Sequence, residues 1–235
     1  MIKKDYINFD VLFYDFNQYL LLYPENFDYV NSAIGYVENV ILHADFIDCS
    51  LNIGDFGYKI NKWTSFTKQL IDKDKFRQFK EELQKTNSNC MCYKFESNSI
   101  ISVILKRHDY RGKFKTCDVY FQRAELCSHF AVDLVFLSVF LKSLPNVNLS
   151  GVNIYISQGF IPATYITGLL DYFDLGIEEL NEEHPFVKAM VNAKKKYYND
   201  KEHLSSYESL LRIQKVYFEQ TEIPNIRVLD LEIGE

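Results

Sequence analysis

Glycine, proline and tryptophan are scarce in this chain. Its 235 residues include 9 glycines, 5 prolines and 1 tryptophan, and no stretch rich in glycine, serine or proline divides the sequence. Hydrophobic residues make up 47% of the chain and aromatic residues 16%, enough to bury one substantial core. Because no linker separates two such cores, we predict a single domain over residues 1–235.

Basic residues are outnumbered by acidic ones. The chain has 26 lysines and arginines against 32 aspartates and glutamates, which gives a formal net charge of -6. Proteins that bind duplex nucleic acid do so through a basic face, so this balance argues against a duplex partner. A small anionic ligand needs only one local arginine and is compatible with the composition.

Long apolar runs and paired cysteines are missing too. The N-terminus, with Lys3 and Lys4, alternates acidic, aromatic and polar residues and lacks the apolar segment of a secretory signal. The longest apolar stretch, over 130–144, is too short to span a bilayer. The five cysteines form an odd set without a regular framework, which is typical of reduced thiols. We therefore predict a cytoplasmic protein without a membrane partner.

Several catalytic motifs are absent. The chain has no glycine-rich phosphate loop, no nucleophile elbow and no zinc-protease helix motif. Cys90 and Cys92, together with Cys127 and His129, offer soft ligands, but their single-residue spacings differ from the usual zinc spacing, so we predict no metal site. His129 and Asp133, four residues apart, could form a catalytic pair or could be a core histidine near an acid.

Hydrophobic periodicity predicts most of the secondary structure. We predict helices over 24–44, 72–85, 130–144, 162–174, 185–198 and 204–220, and strands over 46–60, 90–95, 100–107, 113–123 and 151–157. Residues 9–23 fit either a strand or a helix, and Val228 and Leu229 suggest a last strand. The resulting fold class is α/β (α+β), with a mixed, largely antiparallel sheet covered by helices.

The helix predicted over 130–144 is the most apolar of the chain, yet it contains Asp133. A carboxylate buried without a partner would cost several kcal/mol or take up a proton, so Asp133 must meet a cation, a set of donors or a ligand. Arg123, at the end of the preceding strand, is the nearest cation in sequence. Two alternatives follow: a structural ion pair between Arg123 and Asp133, or a polar pocket within the core.

One family resemblance connects these residues. The run KFKTCDVYFQRAELCSHFAVDLVFLSVFL, followed by GVNIYISQG, resembles the thymidylate synthase superfamily, including its pyrimidine hydroxymethylases and phage-type nucleotide-modifying branches. The resemblance implies that Gln122 and Arg123 belong to the strand end that binds the nucleotide phosphate, although Ala124 replaces the family's serine. It also places Asp133 where the cytosine-specific members have an aspartate that contacts the base.

The resemblance further implies that Asn153 and Tyr155 correspond to the family's His-x-Tyr strand, which holds the sugar. Strand alternation independently puts these two side chains next to each other on one face. The family's nucleophilic cysteine should fall near 99–101, where this sequence reads Ser-Ile-Ile, so covalent activation by a thiolate lacks its residue. Residues 1–60 and 175–235 are divergent elaborations outside the resemblance, the latter predicted to be helical.

Two functions are therefore expected. The first is a pyrimidine-nucleotide-binding protein, resembling thymidylate synthase or a hydroxymethylase, that modifies a nucleotide or base as a transferase without the usual cysteine. The alternative is a catalytically inactive relative that binds a nucleotide or a protein partner in a regulatory or viral accessory role. The resemblance allows folate as a cofactor and implies a homodimer that binds a pyrimidine nucleoside monophosphate. It also predicts that Arg123, Asp133 and Tyr155 converge on one concave site.

Overall fold

The computed structural model describes residues 1–23, 28–30, 34–56, 70–97, 99–109, 111–162, 169–170 and 172–175. The elements in chain order are β1 (Ile2–Tyr6), α1 (Phe9–Leu22), β2 (Asp28–Val30), β3 (Ile34–Ala44), a short 3-10 helix (Ile53–Phe56), α2 (Lys73–Lys85), β4 (Cys90–Lys94), β5 (Ile100–Lys106), β6 (Thr116–Glu125), α3 (Ser128–Lys142) and β7 (Val152–Pro162). Six of the strands form one sheet in the order β1-β3-β7-β6-β5-β4, and β2 pairs with β3.

The sheet is mixed and largely antiparallel. β3 pairs antiparallel with β2 and β7, and β5 pairs antiparallel with β4 and β6. Only the β1–β3 and β6–β7 pairings of the described strands are parallel. Together with the helices, this arrangement confirms the predicted α/β (α+β) fold class. No helix in the described part of the chain is both long and apolar enough to cross a membrane.

The central helix α3 packs on nearly all sides, as its composition predicts. Its first turn contacts the sheet through Phe130, whose ring meets Phe121 of β6 edge-on at 5.9 Å between centroids. Toward its C-terminal end Phe140 packs on Phe76 of α2 at 5.2 Å and on Tyr93 of β4 at 5.4 Å. α3 therefore covers the sheet face to which Phe121 and Tyr93 belong.

The other two helices begin at side-chain caps. Asn8 accepts a hydrogen bond from the backbone N–H of Val11 (2.9 Å), which starts α1 and settles residues 9–23 as a helix. Asp72 accepts from the N–H groups of Asp74 and Lys75, both at 3.0 Å, and starts α2. The buried stripe of α2 consists of Phe76, Phe79 and Leu83, so the helix predicted over 72–85 and its core-facing stripe are confirmed.

Two predicted elements are wrong. The helix predicted over 24–44 is replaced in the described residues 28–30 and 34–44 by β2 and β3, where Val40, Leu42 and Ala44 alternate as buried positions, while residues 24–27 and 31–33 lie outside the described residues. Of the strand predicted over 46–60, residues 46–56 do not form a strand, and residues 57–60 lie outside the described residues. The carboxylate of Asp10 accepts from the N–H groups of Ser50 (2.7 Å) and Leu51 (3.0 Å), which occupies donors that a strand ladder would use.

The remaining differences concern the C-terminal part. β7 extends to Pro162, so the helix predicted over 162–174 does not begin at that proline. The helices predicted over 185–198 and 204–220, and the strand suggested by Val228 and Leu229, lie outside the described residues. The strands predicted over 90–95, 100–107, 113–123 and 151–157 correspond to β4, β5, β6 and β7.

The pleat of the sheet is interrupted along one row of four strands. In β3 the buried positions change from odd to even numbers across Asn39, which has a positive φ of 55°. In β7 they change from Ile154 and Ile156 to Gly159 and Ile161, and β3 and β7 remain in one register across the change. In β6 the buried series ending at Phe121 gives way to the exposed Gln122 and Arg123, and the β5 register shifts between Ile100 and Ser102.

These four irregularities are adjacent, because Phe121 is paired with Ile100 of β5 and with Ile156 of β7, and Ile156 is paired with Val40 of β3. Bulges and similar irregularities redirect side chains and are frequent next to functional sites. In this chain the break brings Gln122 and Arg123 to the surface on a strand whose preceding residues are in the core.

A buried arginine joins two loops at the far end of β5. Arg107 is only 6% exposed, and its guanidinium donates hydrogen bonds to three backbone carbonyls. Nε donates to the carbonyl of Ser88 (3.0 Å), Nη1 to that of Gly112 (2.9 Å) and Nη2 to that of Thr86 (2.7 Å). The guanidinium carbon also lies 4.7 Å from the ring centroid of Phe114. None of the ion pairs found among the described residues includes Arg107, so neutral oxygens and a ring solvate its charge.

Candidate functional site

The start of β5, the end of β6 and the beginning of α3 meet at one place. The backbone N–H of Gln122 donates to the carbonyl of Ser99 (3.0 Å), and the Ser99 hydroxyl donates to Oδ2 of Asp133 (2.9 Å). We use the name junction cluster for Ser99, Glu125 and Asp133 together with Gln122 and Arg123, the two exposed residues just before the end of β6; the Arg123 side chain itself lies over Phe160 and Tyr36. The cluster contains three of the five residues predicted from the sequence, namely Gln122, Arg123 and Asp133.

Asp133 is only 2% exposed and lies in the first half of α3. Burial raises the pKa of its carboxyl group to about 7, against an ordinary value of 3.8. The hydrogen bond from Ser99 lowers this pKa, and the nearby charge of Glu125 raises it. At neutral pH Asp133 therefore exists in comparable amounts as a neutral acid and as a carboxylate.

Glu125 occupies the N-terminal end of α3. Its carboxylate accepts hydrogen bonds from the backbone N–H groups of Cys127 (2.7 Å) and His129 (3.1 Å) and from the hydroxyl of Ser128 (2.9 Å). Free N–H groups at a helix N-terminus often bind phosphate. Because Glu125 already uses these donors, an anionic ligand of the junction cluster has to find its donors elsewhere.

Arg123 is the exposed cation of the cluster. Its guanidinium carbon lies 4.5 Å from the ring centroid of Phe160 and 6.0 Å from that of Tyr36. No ion pair within the described ranges includes Arg123, and Asp133 bonds to Ser99 instead. The structural ion pair between Arg123 and Asp133, one of the two alternatives for these charges, is therefore not formed.

Asn153 and Tyr155 lie next to each other on one face of β7, as strand alternation predicts. Tyr155 stacks on Tyr120 of β6, with ring centroids 4.8 Å apart and planes within 10°. Tyr120 precedes Phe121, which faces α3, so this stack lies on the sheet face opposite to α3. Tyr155 therefore lies on the sheet face opposite to the helix that carries Asp133, and no hydrogen bond or ring contact among the described residues joins Tyr155 to Arg123 or Asp133.

The amide of Asn153 is already engaged on that opposite face. Its Nδ2 donates to Asp118 (2.9 Å), its Oδ1 is 2.8 Å from Nδ1 of His43, and Asp118 forms an ion pair with Lys106. These four side chains form a polar row across β3, β7, β6 and β5. Asp118 and His43 use one N–H and one lone pair of the Asn153 amide, so a sugar hydroxyl would share this amide with two protein partners.

No model of a protein family and no curated protein matches this chain.

What the junction cluster can do follows from its donors and acceptors. Arg123 presents guanidinium N–H groups that have no carboxylate partner among the described residues and that suit a phosphate or carboxylate, and Gln122 adds an exposed side-chain amide. Asp133 presents a buried carboxyl group suited to a ligand that offers N–H donors. A ligand that carries an anionic group and a polar ring with N–H donors would match these donors and acceptors.

Thiol chemistry is not available at the junction cluster. Cys117 and Cys127 are buried, and burial raises the pKa of both thiols, which disfavours the nucleophilic thiolate. Cys90 and Cys92 are exposed but lie on β4, the last strand of the sheet path, and burial also raises the pKa of Cys92. Within the described ranges, no three His, Cys, Asp or Glu side chains are grouped so that they could hold a metal ion.

Sequence reasoning assigned no role to Glu125, and it noted Ser99 only near the position where the family's cysteine should fall. Ser99 is separated from Asp133 by 34 positions, and a single serine before a predicted strand carries no signal of such a contact. Glu125 could have been found, because an acidic residue just before a predicted helix is a recognised N-terminal signal. Asp133 itself was identifiable as a charge within an apolar helix.

Proposed function

We propose that this chain binds a pyrimidine nucleoside monophosphate at the junction cluster, in the manner that the resemblance to the thymidylate synthase superfamily implies. The observation that carries the proposal is the buried carboxyl group of Asp133, to which Ser99 is the one hydrogen-bond donor among the described residues. A protein that buries a carboxyl group with so little compensation loses stability, and ligand recognition is a function that justifies this loss.

Arg123 binds the phosphate in this proposal. Its guanidinium is exposed, has no carboxylate partner in the described part of the chain and rests over Phe160. The ring restrains the side chain without using its N–H donors, which leaves them available for a bidentate contact with phosphate oxygens. Gln122 is the neighbouring exposed donor. Glu125 instead caps the N-terminus of α3.

Asp133 recognises the base. An ionised carboxylate only accepts hydrogen bonds, so it suits the exocyclic amino group of cytosine and opposes the O4 acceptor of uracil. The sugar contact implied for Asn153 and Tyr155 is not part of the proposal, because Asn153 is bonded to Asp118 and Tyr155 is stacked on the opposite face of the sheet.

A second function is favoured by the state of the cysteines. Since the two cysteines nearest in sequence to the cluster are buried thiols, a synthase-like thiolate mechanism lacks its nucleophile. The alternative is therefore a catalytically inactive protein that binds a nucleotide or a protein partner in a regulatory role. All five cysteines are free, which agrees with the proposed cytoplasmic location.

We also propose that the chain forms a homodimer through the sheet face opposite to α3. This face carries Tyr120, Tyr155, Ile41 and Ile104, all of them half-buried. Apolar and aromatic side chains on a flat sheet face are typical of the centre of a protein interface. The polar row from His43 to Lys106 borders them and would supply the hydrogen bonds at its rim.

We expect Asp133→Asn to change which base is preferred. At pH 8 the wild-type carboxyl group is mostly ionised and should bind cytidine monophosphate more tightly than uridine monophosphate by about 1 to 3 kcal/mol, because the carboxylate faces an acceptor in uracil. The amide of the variant can donate as well as accept, so the preference should move toward uridine and thymidine monophosphates. Isothermal titration calorimetry with the three monophosphates measures the change.

Arg123→Ala is the companion variant in the same titrations. It should weaken the binding of all three monophosphates to the same extent and leave the binding of cytidine, which lacks the phosphate, unchanged. Arg77→Ala, which removes an exposed arginine from α2, is the matched control and should change nothing. The proposal fails if the wild type binds no pyrimidine nucleotide at millimolar concentration, or if Asp133→Asn leaves the order of affinities as it was.

We expect no cysteine to be essential. Single replacements of Cys90, Cys92, Cys117 and Cys127 by serine should keep nucleotide affinity and any activity within about tenfold, the remaining loss reflecting packing. Calorimetric titration, and any turnover assay that a bound nucleotide suggests, provides the measurement. A thousandfold loss at Cys92 or Cys117 would instead establish a thiolate mechanism and would exclude the inactive alternative.

A further inference from the structure

We propose that Ser99 is a positioning residue that favours the ionised form of Asp133 and thereby sets the base preference of the junction cluster. The part of this inference that concerns base preference rests on the proposed function, whereas the part that concerns the charge of Asp133 does not. Ser99 belongs to a different element from Asp133 and reaches it across 34 positions of sequence, so the contact depends on the fold.

The position of Ser99 is fixed on both sides by backbone hydrogen bonds. Its own N–H donates to the hydroxyl of Ser97 (3.0 Å), and its carbonyl accepts from the N–H of Gln122 (3.0 Å). Its hydroxyl then donates to Oδ2 of Asp133 at 2.9 Å. The backbone of Ser99 is thus held in place, and its hydroxyl occupies one oxygen of Asp133 and leaves the other oxygen for a ligand.

Few other groups act on Asp133. α3 surrounds it with apolar side chains, Glu125 approaches from β6 with a like charge, and Arg123 of the same strand lies over Phe160. The residue just before β5, Ser99, contributes its hydroxyl. Of the groups that the structure describes around Asp133, Ser99 is thus the one that favours the carboxylate, while burial and Glu125 both raise its pKa.

The balance between these effects decides what Asp133 can recognise. As a carboxylate it accepts only, and it discriminates between cytosine and uracil. As a neutral acid it presents one acceptor and one donor, and it can pair with the N4–H and N3 of cytosine or with the N3–H and O4 of uracil. Loss of the Ser99 hydroxyl should therefore leave a neutral acid that accepts both bases.

The first test measures the charge of Asp133 directly and needs no nucleotide. Carbon-13 NMR of the aspartate carboxyl groups, assigned with Asp133→Asn, is followed from pH 4 to pH 10 for the wild type, Ser99→Ala and Ser99→Thr. We expect Ser99→Ala to raise the midpoint for Asp133 by about one to two pH units, since a hydrogen bond to a charged group is lost. Ser99→Thr keeps the hydroxyl and should restore the wild-type midpoint.

The second test follows base preference. The ratio of cytidine to uridine monophosphate affinities is measured at pH 6, 7, 8 and 9 for the same three proteins. As pH falls, the affinity ratio should decrease toward one, because Asp133 takes up a proton. We expect Ser99→Ala to move this decrease to higher pH by the same amount as it moves the NMR midpoint of Asp133.

An unchanged midpoint in Ser99→Ala overturns the inference, and so does a shifted midpoint with an unchanged ratio profile. A shifted midpoint in a protein that binds no nucleotide supports the control of Asp133 by Ser99 and rejects the proposed function.

Discussion

Asp133→Asn is expected to stabilise the unliganded protein by about 2 to 4 kcal/mol at pH 8 and by much less at pH 5. Burial raises the pKa of the folded carboxyl group to about 7, whereas an unfolded aspartate titrates near its ordinary value of 3.8. Between these two pH values the folded chain keeps a proton that the unfolded chain loses, and this proton favours the folded state.

The stability that protonation of Asp133 contributes decreases as pH rises. The contribution of the Asp133 proton to folding is fully present below pH 4, decreases through the interval, and is lost once pH rises through about 7. At pH 8 the wild type therefore folds with a buried carboxylate beside Glu125, while the asparagine variant folds with a neutral amide in the same place. At pH 5 the folded wild type is neutral there as well, and only the ionisation of the unfolded chain still disfavours its folding, so the difference should fall to about 1 to 2 kcal/mol.

Urea denaturation of wild type and variant at pH 5, 6, 7 and 8 measures the difference. Asp5→Asn is the matched control, because Asp5 is an exposed aspartate on β1 and its replacement removes the same formal charge. A variant that is less stable than the wild type at both ends of the range would mean that the buried carboxylate has strong partners, and it would remove the main argument for a ligand at Asp133.

Arg107→Met is expected to destabilise the protein by about 3 to 5 kcal/mol at any pH between 5 and 8. The substitution keeps an unbranched side chain against Phe114 but deletes the three donors that hold the carbonyls of Thr86, Ser88 and Gly112. Hydrogen bonds from a charged donor are among the stronger ones, and the orphaned carbonyls lie beside a side chain that is 6% exposed.

Arg107→Lys should lower the free energy of unfolding by an intermediate amount, since an ammonium group retains the charge but cannot reproduce the planar geometry of three N–H donors. Arg77→Met, on the exposed side of α2, should stay within about 0.5 kcal/mol of the wild type. The urea midpoint at constant slope reports these differences. A loss below about 1 kcal/mol in Arg107→Met would show that water replaces the guanidinium easily at this position.

The elements that the sequence predicts well are those in which local pattern and tertiary environment agree. The stripe of Phe76, Phe79 and Leu83 allows only a helix with one buried side, and the apolar run around Asp133 allows only a helix packed on most sides. β3 is the opposite case. Its apolar residues are compatible with the helical period and with the strand period. Pairing with β1 on one side and with β7 on the other decides in favour of the strand.

The candidate site shows a similar division. A charge inside an apolar helix is visible in the sequence, which is why Asp133 could be selected, and alternation correctly places Asn153 beside Tyr155. Alternation does not say which of the two faces is covered by α3, so the position of Tyr155 relative to Asp133 could not be derived. The partner of Asp133 was hidden for another reason: contacts between distant residues leave no periodic trace, and Ser99 is such a contact.

The interrupted pleat has a consequence for how the strands find their partners. In a regular strand, slippage by two residues brings apolar side chains back to the buried face, so alternation alone tolerates a family of misaligned pairings. β3 and β7 each change their buried face once, at Asn39 and between Ile156 and Gly159, and the two changes coincide only in the native register. A pairing displaced by any small number of residues leaves part of one strand with its polar side toward the core. The same irregularity that brings Arg123 to the surface therefore specifies the register in which β3 and β7 pair.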